Sequence, residues 1–234
     1  MLGNSYKNLD KSAVNKKFRV NLTYKNKHNQ TNSQSISNYA QSNIIGYYDK
    51  PERANMKGPQ CRLTAFNKKH IDKWKNALPF IKHVNKLFKH LTPKEYSKQL
   101  RRANQVPQFK IKGTAYSTLT INYSWRTALH RDRGDFLDGF GNLVVCEDFN
   151  NPNEYTGCYT GFPQFGVAVD VRDGDYLAMD VHEWHCNTEF KKKGRKKKLL
   201  KDTERNRIIK QNGWDFNRLS LVHYLREKMI KCKK

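Results

Sequence analysis

The feature that most constrains the fold is a change in the spacing of apolar residues near Pro107. Before it, between Ile71 and Leu91, apolar residues recur every three or four positions with lysines between them, which predicts an amphipathic helix. Pro79 is expected to break or kink this helix into two pieces. A second helix is predicted from Pro93 to about Asn104, with the hydroxyl of Thr92 as its N-cap.

Beyond Pro107 the chain is mostly a series of short segments typical of strands. In 165–171, apolar and small or polar residues alternate, which predicts a strand with one face in the core. Across the whole chain the predicted strands are 44–48, 61–66, 109–111, 114–129, 142–147, 165–171, 176–180 and 219–225. Helices followed by a series of strands predict an α+β fold, a helix-backed antiparallel barrel or jelly roll.

The first 43 residues are rich in Asn, Ser, Lys and Gln, and we expect a polar, partly disordered extension before a domain that spans 44–234. Within it, Phe18, Val20 and Leu22 alternate as in one short strand, and Asn29–Ser37 has the composition of a polar linker. No apolar run is long enough to cross a membrane, and the N-terminus has no apolar leader. The expectation is a soluble, non-secreted monomer without a membrane partner.

The cysteines are odd in number and have no C-x-x-C spacing, so the sequence predicts neither a disulfide framework nor a zinc site. Free thiols fit a reducing compartment. The five residues are Cys61, Cys146, Cys158, Cys186 and Cys232.

The balance of charge points to a polyanionic partner. The chain has 45 Lys and Arg against 21 Asp and Glu, a formal net charge of +24. Such a field favours phosphate backbones and makes binding sensitive to salt. The alternative is that a chain rich in Lys and Asn reflects only an AT-rich genome.

A chelating pair stands at the end of the strand-like stretch 116–135. His130 and Asp132 are two residues apart, so on an extended chain their side chains point to the same face. A second imidazole would complete the set of two histidines and one carboxylate that suits non-haem Fe(II). The segment after the turn at 173–175 offers two candidates, His182 and His185.

The last predicted strand adds a candidate anion anchor. Arg218 and Ser220 share the face opposite Leu219 and Leu221. An inward arginine needs a buried anion, because an unpaired buried guanidinium is costly, and its planar fork suits a carboxylate.

His-x-Asp, a Gly-Asp turn, a histidine and an inward Arg-x-Ser, in that order, resemble the Fe(II)/2-oxoglutarate-dependent oxygenases built on the double-stranded β-helix, a cupin-like jelly roll. In that family the distal histidine usually falls eleven residues after the glycine of the turn, here Gly174, which implies His185 rather than His182. Further segments look like the thymine hydroxylase domain of base-J-binding proteins, a group allied with the TET 5-methylcytosine dioxygenases. These segments are 61–64, 113–118 leading to Asn122, 126–130, 139–143, 180–182 and 185–188.

The resemblance spans roughly 44–232 and implies a chemistry. His130, Asp132 and His185 would hold Fe(II), and Arg218 with Ser220 would pair the distal carboxylate of the co-substrate 2-oxoglutarate. The implied activity is hydroxylation of the 5-methyl group of a pyrimidine in DNA, with thymine favoured, on a base that is flipped or single-stranded. The alternatives are a 5-methylcytosine dioxygenase, a prolyl or lysyl hydroxylase using the same iron site, and a catalytically idle nucleic-acid-binding relative.

The resemblance also suggests substrate contacts. Asn122 and Arg126 are candidates for a base or co-substrate contact, and Asp135 and His182 are polar candidates near the metal. Aromatic side chains that could stack on a base are Tyr116, Tyr123, Trp125 and Phe140.

A run of lysines and arginines at 191–198 lies within a basic insertion at 191–214, between the segments carrying His185 and Arg218. We expect Lys196, Lys197 and Lys198 to contact the DNA backbone, the alternatives being a nuclear-localisation signal or a solvated loop. Helical support is expected at about 67–104 and the jelly-roll core at about 108–228. The implied location is intracellular, in the nucleus or wherever the target DNA lies. The chain shows no separate J-DNA-binding domain, a departure from the two-part relatives.

Overall fold

The computed structural model describes residues 20–25, 31–36, 42–50, 60–123, 127, 129–147, 155–192 and 218–232. In this part of the chain the α-helices are α1 (Ala65–Lys69), α2 (Ile71–Leu91) and α3 (Pro93–Asn104). Short 3-10 helices span Pro107–Phe109, Pro163–Phe165 and Glu227–Lys231. None of the helices in the described ranges is long and apolar enough to cross a membrane.

The described ranges contain thirteen strands. They are β1 (Val20–Lys25), β2 (Thr31–Ile36), β3 (Ser42–Lys50), β4 (Gln60–Leu63), β5 (Thr118–Tyr123), β6 (Gly141–Glu147), β7 (Tyr155–Gly157), β8 (Thr160–Phe162), β9 (Val167–Val169), β10 (Tyr176–Met179), β11 (Cys186–Asn187), β12 (Phe190–Lys192) and β13 (Arg218–Tyr224).

The strands form one large sheet and several small ones. The large sheet has six strands in the order β10-β6-β13-β5-β3-β4, and every neighbouring pair is antiparallel. A three-stranded sheet has the order β11-β8-β9, β12 pairs with β7, and β1 pairs with β2. The predicted α+β class with antiparallel sheets is therefore confirmed.

The large sheet separates two environments. Leu119 and Leu221, on the neighbouring strands β5 and β13, are buried in a core cluster that also contains Ile81 and Phe88 of α2. The residues next along each strand point to the other face, because side chains alternate. On that other face Thr120, Val222 and their neighbours line a cavity. One face thus carries the helices and the other carries the candidate site.

The predicted stripe of α2 is the core side of the helix only in its middle. Ile81, Val84 and Phe88 are buried, whereas Ile71 and Leu91 at the two ends are each 56% exposed. The predicted break at Pro79 is wrong, because α2 continues through it. A proline removes one backbone hydrogen bond, and burial of the three apolar side chains holds the helix in place despite that loss.

Thr92 stands between the two helices as predicted, but its role differs from the expected N-cap. Its hydroxyl donates to the carbonyl of Phe88, 3.2 Å away, and makes no capping bond to α3. The side chain therefore closes the end of α2, and α3 starts at Pro93, which has no amide proton to satisfy.

Several predicted strands are shorter or absent. Residues 109–111 form no strand, since Pro107 starts a 3-10 turn there. The segment 61–66 is a strand only to Leu63, because Thr64 then caps α1 by accepting from the amide of Asn67. In the described part of the predicted strand 114–129, only β5 is a strand, and residues 114–117 and Thr127 are not.

The alternation at 165–171 does not mark a core face along its whole length. Phe165 and Val167 are 61% and 49% exposed, and only Val171 at the far end is buried. β9 is the edge strand of a three-stranded sheet, and within it Val167 is exposed while Val169 packs against a core cluster that contains Val171. The predicted core strand is wrong for this edge.

The extension at 1–43 also contains structure that composition did not indicate. The predicted linker Asn29–Ser37 includes β2, which pairs antiparallel with β1. Polar strands pair through their backbones, so a polar composition alone does not exclude a hairpin.

The expectation that all cysteines are free thiols is wrong for one pair. Cys61 and Cys232 form a disulfide with Cα atoms 5.7 Å apart, across 171 residues of sequence. It joins β4 to the end of the C-terminal 3-10 helix. Spacing along the chain gave no sign of it, because the two cysteines meet only through the tertiary fold. The free cysteines in the described ranges are Cys146, Cys158 and Cys186.

Candidate metal centre

The structure brings together His130, Asp132 and His185. One possible ligand atom from each lies within 4.8 Å of the others. The Nε2 atom of His130 is 3.6 Å from Oδ1 of Asp132, and Nε2 of His185 is 4.0 Å from Oδ2 of the same carboxylate. Two imidazoles and a carboxylate converging on one point form the donor set of a facial triad, and all three residues line one cavity.

Backbone hydrogen bonds on two sides fix the loop that carries two of these donors. On one side His130 and His185 exchange both N–H···O bonds at 3.0 Å, and the amide of Asp132 donates to the carbonyl of Val181 at 2.9 Å. This pairing explains why the donors meet although His130 is not on β5. The prediction that one strand runs on to His130 is wrong, since Thr127 and Leu129 are not in a strand and His130 forms an isolated β-bridge with His185.

On the other side the same loop is tied to the end of β13. The amide of Phe136 donates to the carbonyl of Leu225 at 2.8 Å, and the amide of Glu227 donates to the carbonyl of Gly134 at 2.9 Å. The position of Asp132 is therefore set by the large sheet as well as by its partner segment.

His185, not His182, belongs to the cluster. The Nδ1 atom of His185 lies 2.8 Å from the carbonyl oxygen of Glu183 and donates a hydrogen bond to it, which leaves the lone pair of Nε2 facing the centre. His182 lies outside the cavity, with its Nε2 atom 3.4 Å from the carbonyl of Phe136. Its side chain therefore contacts the end of the loop 130–136, which carries His130 and Asp132 and is called the metal loop below.

A cavity of about 300 Å³ opens from this cluster, a size suited to a small molecule or a single base. Both the large sheet and the β8–β11 segment contribute to its wall. The lining residues are Ile44, Thr120, Asn122, Thr127, His130, Asp132, Gly134, Asp135, Leu143, Thr160, Met179, His185, Cys186, Asn187, Arg218, Ser220, Val222, Tyr224 and Arg226.

Arg218 and Ser220 lie on the cavity face of β13, as the alternation predicts, and Arg218 is only 2% exposed. A second cationic group stands nearby, where Arg172 contacts Glu147 and its guanidinium lies 4.2 Å from the centre of the Tyr155 ring. Arg172 does not line the cavity, so the cavity receives its positive charge at this end from Arg218.

At the other end, Asp135 lies beside a second arginine. Burial raises the pKa of Asp135 well above its usual range, the neighbouring Asp132 carboxylate raises the pKa further, and Arg226 opposes both effects. Nε of Arg226 donates to the buried Asp49 of β3, and its backbone amide donates to the hydroxyl of Ser117 at 3.0 Å. Arg226 thus joins the metal loop, β3 and the end of β13.

The predicted substrate contacts divide into three groups. Asn122 and Asp135 line the cavity. Arg126, Lys196, Lys197, Lys198 and Trp125 lie outside the described residues, as does the side chain of Tyr123. Tyr116 is fully buried on the helix face, where it stacks against Phe88, and Phe140 packs against the same core cluster, so neither is positioned to stack on a base in the cavity.

Among the polar residues of the cavity wall that the sequence did not single out are Thr127, Asn187 and Arg226. The amide of Thr127 donates to Oδ1 of Asn187 at 3.2 Å, and the amide of Asn187 donates back to the carbonyl of Thr127 at 2.9 Å. The sequence did contain one signal for Asn187. It is two residues after His185, so on an extended chain its side chain lies on the same face as that histidine.

Comparison with known families is consistent with this geometry. Residues 43–227 match the model of the Tet_JBP family, described as the oxygenase domain of the 2OGFeDO superfamily.

Individual relatives match between about three fifths and four fifths of the chain. A thymine dioxygenase JBP1 of Trypanosoma brucei brucei is 32% identical over 185 residues, which is 79% of this chain and 19% of the relative. A bifunctional helicase and thymine dioxygenase JBP2 of Leishmania major is 35% identical over 146 residues, 62% of this chain and 12% of the relative. A thymine dioxygenase JBP1 of Crithidia fasciculata is 35% identical over 150 residues, 64% of this chain and 17% of the relative. The matched part is thus less than a fifth of each relative.

Proposed function

The chain belongs to the Tet_JBP family of oxygenase domains in the 2OGFeDO superfamily, and from this premise we propose that it is an Fe(II)- and 2-oxoglutarate-dependent DNA dioxygenase that hydroxylates the 5-methyl group of thymine to give 5-hydroxymethyluracil. The observation that carries the proposal is the convergence of two histidines and one carboxylate at the wall of a cavity that also holds a buried arginine. Thymine is favoured because the relatives described above are named thymine dioxygenases.

His130, Asp132 and His185 would hold the iron, and they suit it chemically, since two imidazoles and one carboxylate are the donors that non-haem Fe(II) oxygenases use. When bound, Fe(II) activates dioxygen in a reaction that converts 2-oxoglutarate to succinate and carbon dioxide and hydroxylates the methyl group. The chain's own contribution is to fix the donors. The hydrogen bond from His185 to the carbonyl of Glu183 selects the tautomer whose Nε2 can bind a metal.

Arg218 and Ser220 would hold the distal carboxylate of 2-oxoglutarate. A guanidinium offers two parallel N–H groups that match the two oxygens of a carboxylate. The low exposure of Arg218 keeps competing water away from this contact, which strengthens it electrostatically. The cavity wall between Arg218 and the metal donors includes Val222 and Leu143, an apolar surface against which the carbon chain of the co-substrate could pack.

The base would have to leave the DNA stack to reach this cavity, because a 5-methyl group inside a duplex cannot approach donors lining a protein interior. Asn122, Asp135 and Asn187 are polar groups on the wall that could orient an extruded or single-stranded base. Arg126 is proposed to assist Asn122. His182 is assigned a supporting role behind the metal loop, in agreement with its contact to the carbonyl of Phe136.

We also propose the finer architecture. The large sheet and the smaller sheets that face it across the cavity would be the two halves of a double-stranded β-helix, over about 108–228. Residues 44–234 would be the dioxygenase domain, with helical support at about 67–104 and a basic insertion at about 191–214. Residues 1–43 would be an extension that takes no part in catalysis.

Lys196, Lys197 and Lys198 are proposed to contact DNA phosphates near the cavity, since the chain on either side of them leads to His185 and Arg218. The proposed location is the compartment that holds the target DNA, a nucleus where there is one.

The deciding experiment incubates the protein with Fe(II), 2-oxoglutarate and single-stranded or duplex oligonucleotides, followed by measurement of succinate and nucleoside mass spectrometry. Thymine-containing DNA should yield 5-hydroxymethyluracil, whereas DNA with uracil in place of thymine should not, because it lacks the methyl group. Oligonucleotides with 5-methylcytosine and peptides containing proline or lysine test the alternative substrates. The His130→Ala variant is the control, and wild-type protein that leaves thymine DNA as unchanged as this variant does would contradict the proposal.

A further inference from the structure

The outer side of α2 carries a straight row of lysines, Lys75, Lys82, Lys86 and Lys89, which we name the lysine stripe. All four side chains are exposed. At 100° per residue they fall within an arc of about 60°, and at 1.5 Å per residue they extend over about 21 Å. The four positive charges lie on one continuous helix, and the buried face of α2 holds that helix in place.

Within the described ranges none of the lysines of the lysine stripe makes a salt bridge, and the ion pairs of the helix layer are Lys98 with Asp138 and Arg102 with Glu227. Two carboxylates occur on the three helices, Asp72 and Glu95. Further exposed basic side chains on the three helices are Lys68, Lys69, Lys73, Lys94 and Arg101.

The stripe fits a phosphate polymer better than a membrane surface. A helix that lies in a membrane interface buries apolar side chains in the lipid beside its basic ones. The apolar middle of α2 is already buried against the large sheet, and only Ile71 and Leu91 at its two ends are exposed. Attraction by the stripe is therefore almost purely electrostatic, as in non-specific contact with a nucleic-acid backbone.

The stripe and the cavity lie on opposite sides of the large sheet. The core cluster joins α2 to Leu119 and Leu221, while Thr120 and Val222, the next residues on the same strands, line the cavity. A DNA segment that contacts the stripe cannot also place its base beside His130 without bending around the domain.

Resting on the proposed function, we propose that the lysine stripe is a second DNA-binding surface that holds the backbone of duplex DNA on the side of the domain away from the metal centre. It would retain the protein on DNA in a sequence-independent way while a different segment is presented to the cavity. Each engaged lysine releases counterions, so the stripe should make a defined contribution to the salt dependence of binding.

The test compares two triple variants by fluorescence anisotropy with a 24-base-pair duplex at a series of salt concentrations. K82Q/K86Q/K89Q removes three charges from the stripe and keeps good helix formers in place. R62Q/K228Q/K231Q removes three exposed charges near the Cys61–Cys232 disulfide. The stripe variant should bind about 100-fold more weakly near 0.1 M salt, and its slope of log K against log salt should be shallower by about 2.7, or about 0.9 for each lysine. The R62Q/K228Q/K231Q variant should retain at least two of the 2.7 units of slope that the stripe variant loses.

Circular dichroism at matched temperature checks that both variants remain folded. A stripe variant whose slope equals that of wild type, or falls no further than that of the other triple, overturns the proposal, as does binding to vesicles containing phosphatidylserine with no measurable binding to DNA. The His130→Ala variant separates the two proposals, since it should bind DNA with the wild-type slope although it is inactive. Loss of binding in the stripe variant would support the surface even if wild type hydroxylated no base.

Discussion

At the scale of single residues, Arg218 shows why the shape of a charged group matters as well as its sign. It lines the cavity and is almost completely buried, so an anion bound there meets a guanidinium with little intervening water. A lysine would keep the charge but replace the planar fork by a compact, strongly hydrated point charge.

We therefore expect Arg218→Lys to raise the KM for 2-oxoglutarate by about 10- to 100-fold, the range for loss of one good charge-assisted contact of about 1.4 to 3 kcal/mol. Metal affinity should change little, because Arg218 is not among the metal donors. Succinate formation at varied 2-oxoglutarate gives the KM, and titration calorimetry with Ni(II) gives the metal affinity.

Arg172→Lys is the matched control, since Arg172 contacts Glu147 outside the cavity and its replacement should leave the KM within about twofold. Equal KM values in the two variants would contradict the assignment of the co-substrate carboxylate to Arg218.

At the scale of elements, two glycines in the same backbone conformation differ in the space that surrounds them. Gly157 ends β7 with φ +79°, and an added Cβ would lie 1.9 Å from the carbonyl oxygen of Glu189. Gly166 follows a 3-10 turn with φ +66°, and an added Cβ would meet nothing within 4 Å. The two sites share the left-handed conformation and differ in crowding.

Gly157→Ala should therefore destabilise the protein by clearly more than Gly166→Ala. The second substitution meets only the left-handed penalty, about 1 to 2 kcal/mol, whereas the first must also displace the backbone of Glu189, which accepts from the amide of Cys158. Urea unfolding of the two variants gives the difference directly. Gly157→Ala should in addition loosen the pairing of β7 with β12, seen as faster amide exchange at Tyr155 to Gly157. Similar losses of stability in the two variants would show that the crowding at Gly157 relaxes at no cost.

The elements also show what can be predicted from the sequence. The strand at 218–224 was predictable because it is buried on both faces and its cavity-facing residues alternate with core residues. This alternation with a period of two is visible in the sequence. β9 was misjudged because an exposed edge strand can alternate without covering a core. The end of β5 was misjudged for another reason, since His130 is placed by hydrogen bonds to His185, a partner 55 residues away that no local pattern identifies.

The same distinction holds within the site. His130 and Asp132 were recognisable as a pair by their spacing, while the choice of His185 over His182 came from the family resemblance. The structure separates those two histidines through the backbone pairing that turns one inward. Arg226 was not predicted because its importance comes from contacts with Asp49 and the metal loop, which are distant in sequence.

At the scale of the whole molecule, the joint between the helix layer and the large sheet contains a buried histidine. His223, on β13, is fully buried between the rings of Phe80 and Tyr116, 5.9 and 5.4 Å from their centres. Its Nδ1 atom lies 3.2 Å from the carbonyl of Asn142, and its Nε2 atom has no hydrogen-bond partner among the described residues. A proton added to Nε2 would therefore place an unsatisfied charge at the joint that supports the back of the cavity.

We expect this joint to lose stability in mild acid. Burial lowers the pKa of His223 from 6.5 to about 4, so between these values the unfolded chain binds a proton that the folded protein does not. Stability contributed by the neutral histidine is complete above pH 6.5 and is lost as the pH falls towards 4, by about 3 kcal/mol in total. Urea unfolding of wild type and His223→Gln from pH 7.5 to 4 isolates this contribution, because glutamine does not titrate and the other groups are common to both proteins. The free energy of unfolding should decline more steeply in wild type, so that any deficit of the variant at pH 7 shrinks or reverses by pH 4. Parallel curves for the two proteins would mean that His223 takes up its proton without disturbing the contact between helices and sheet.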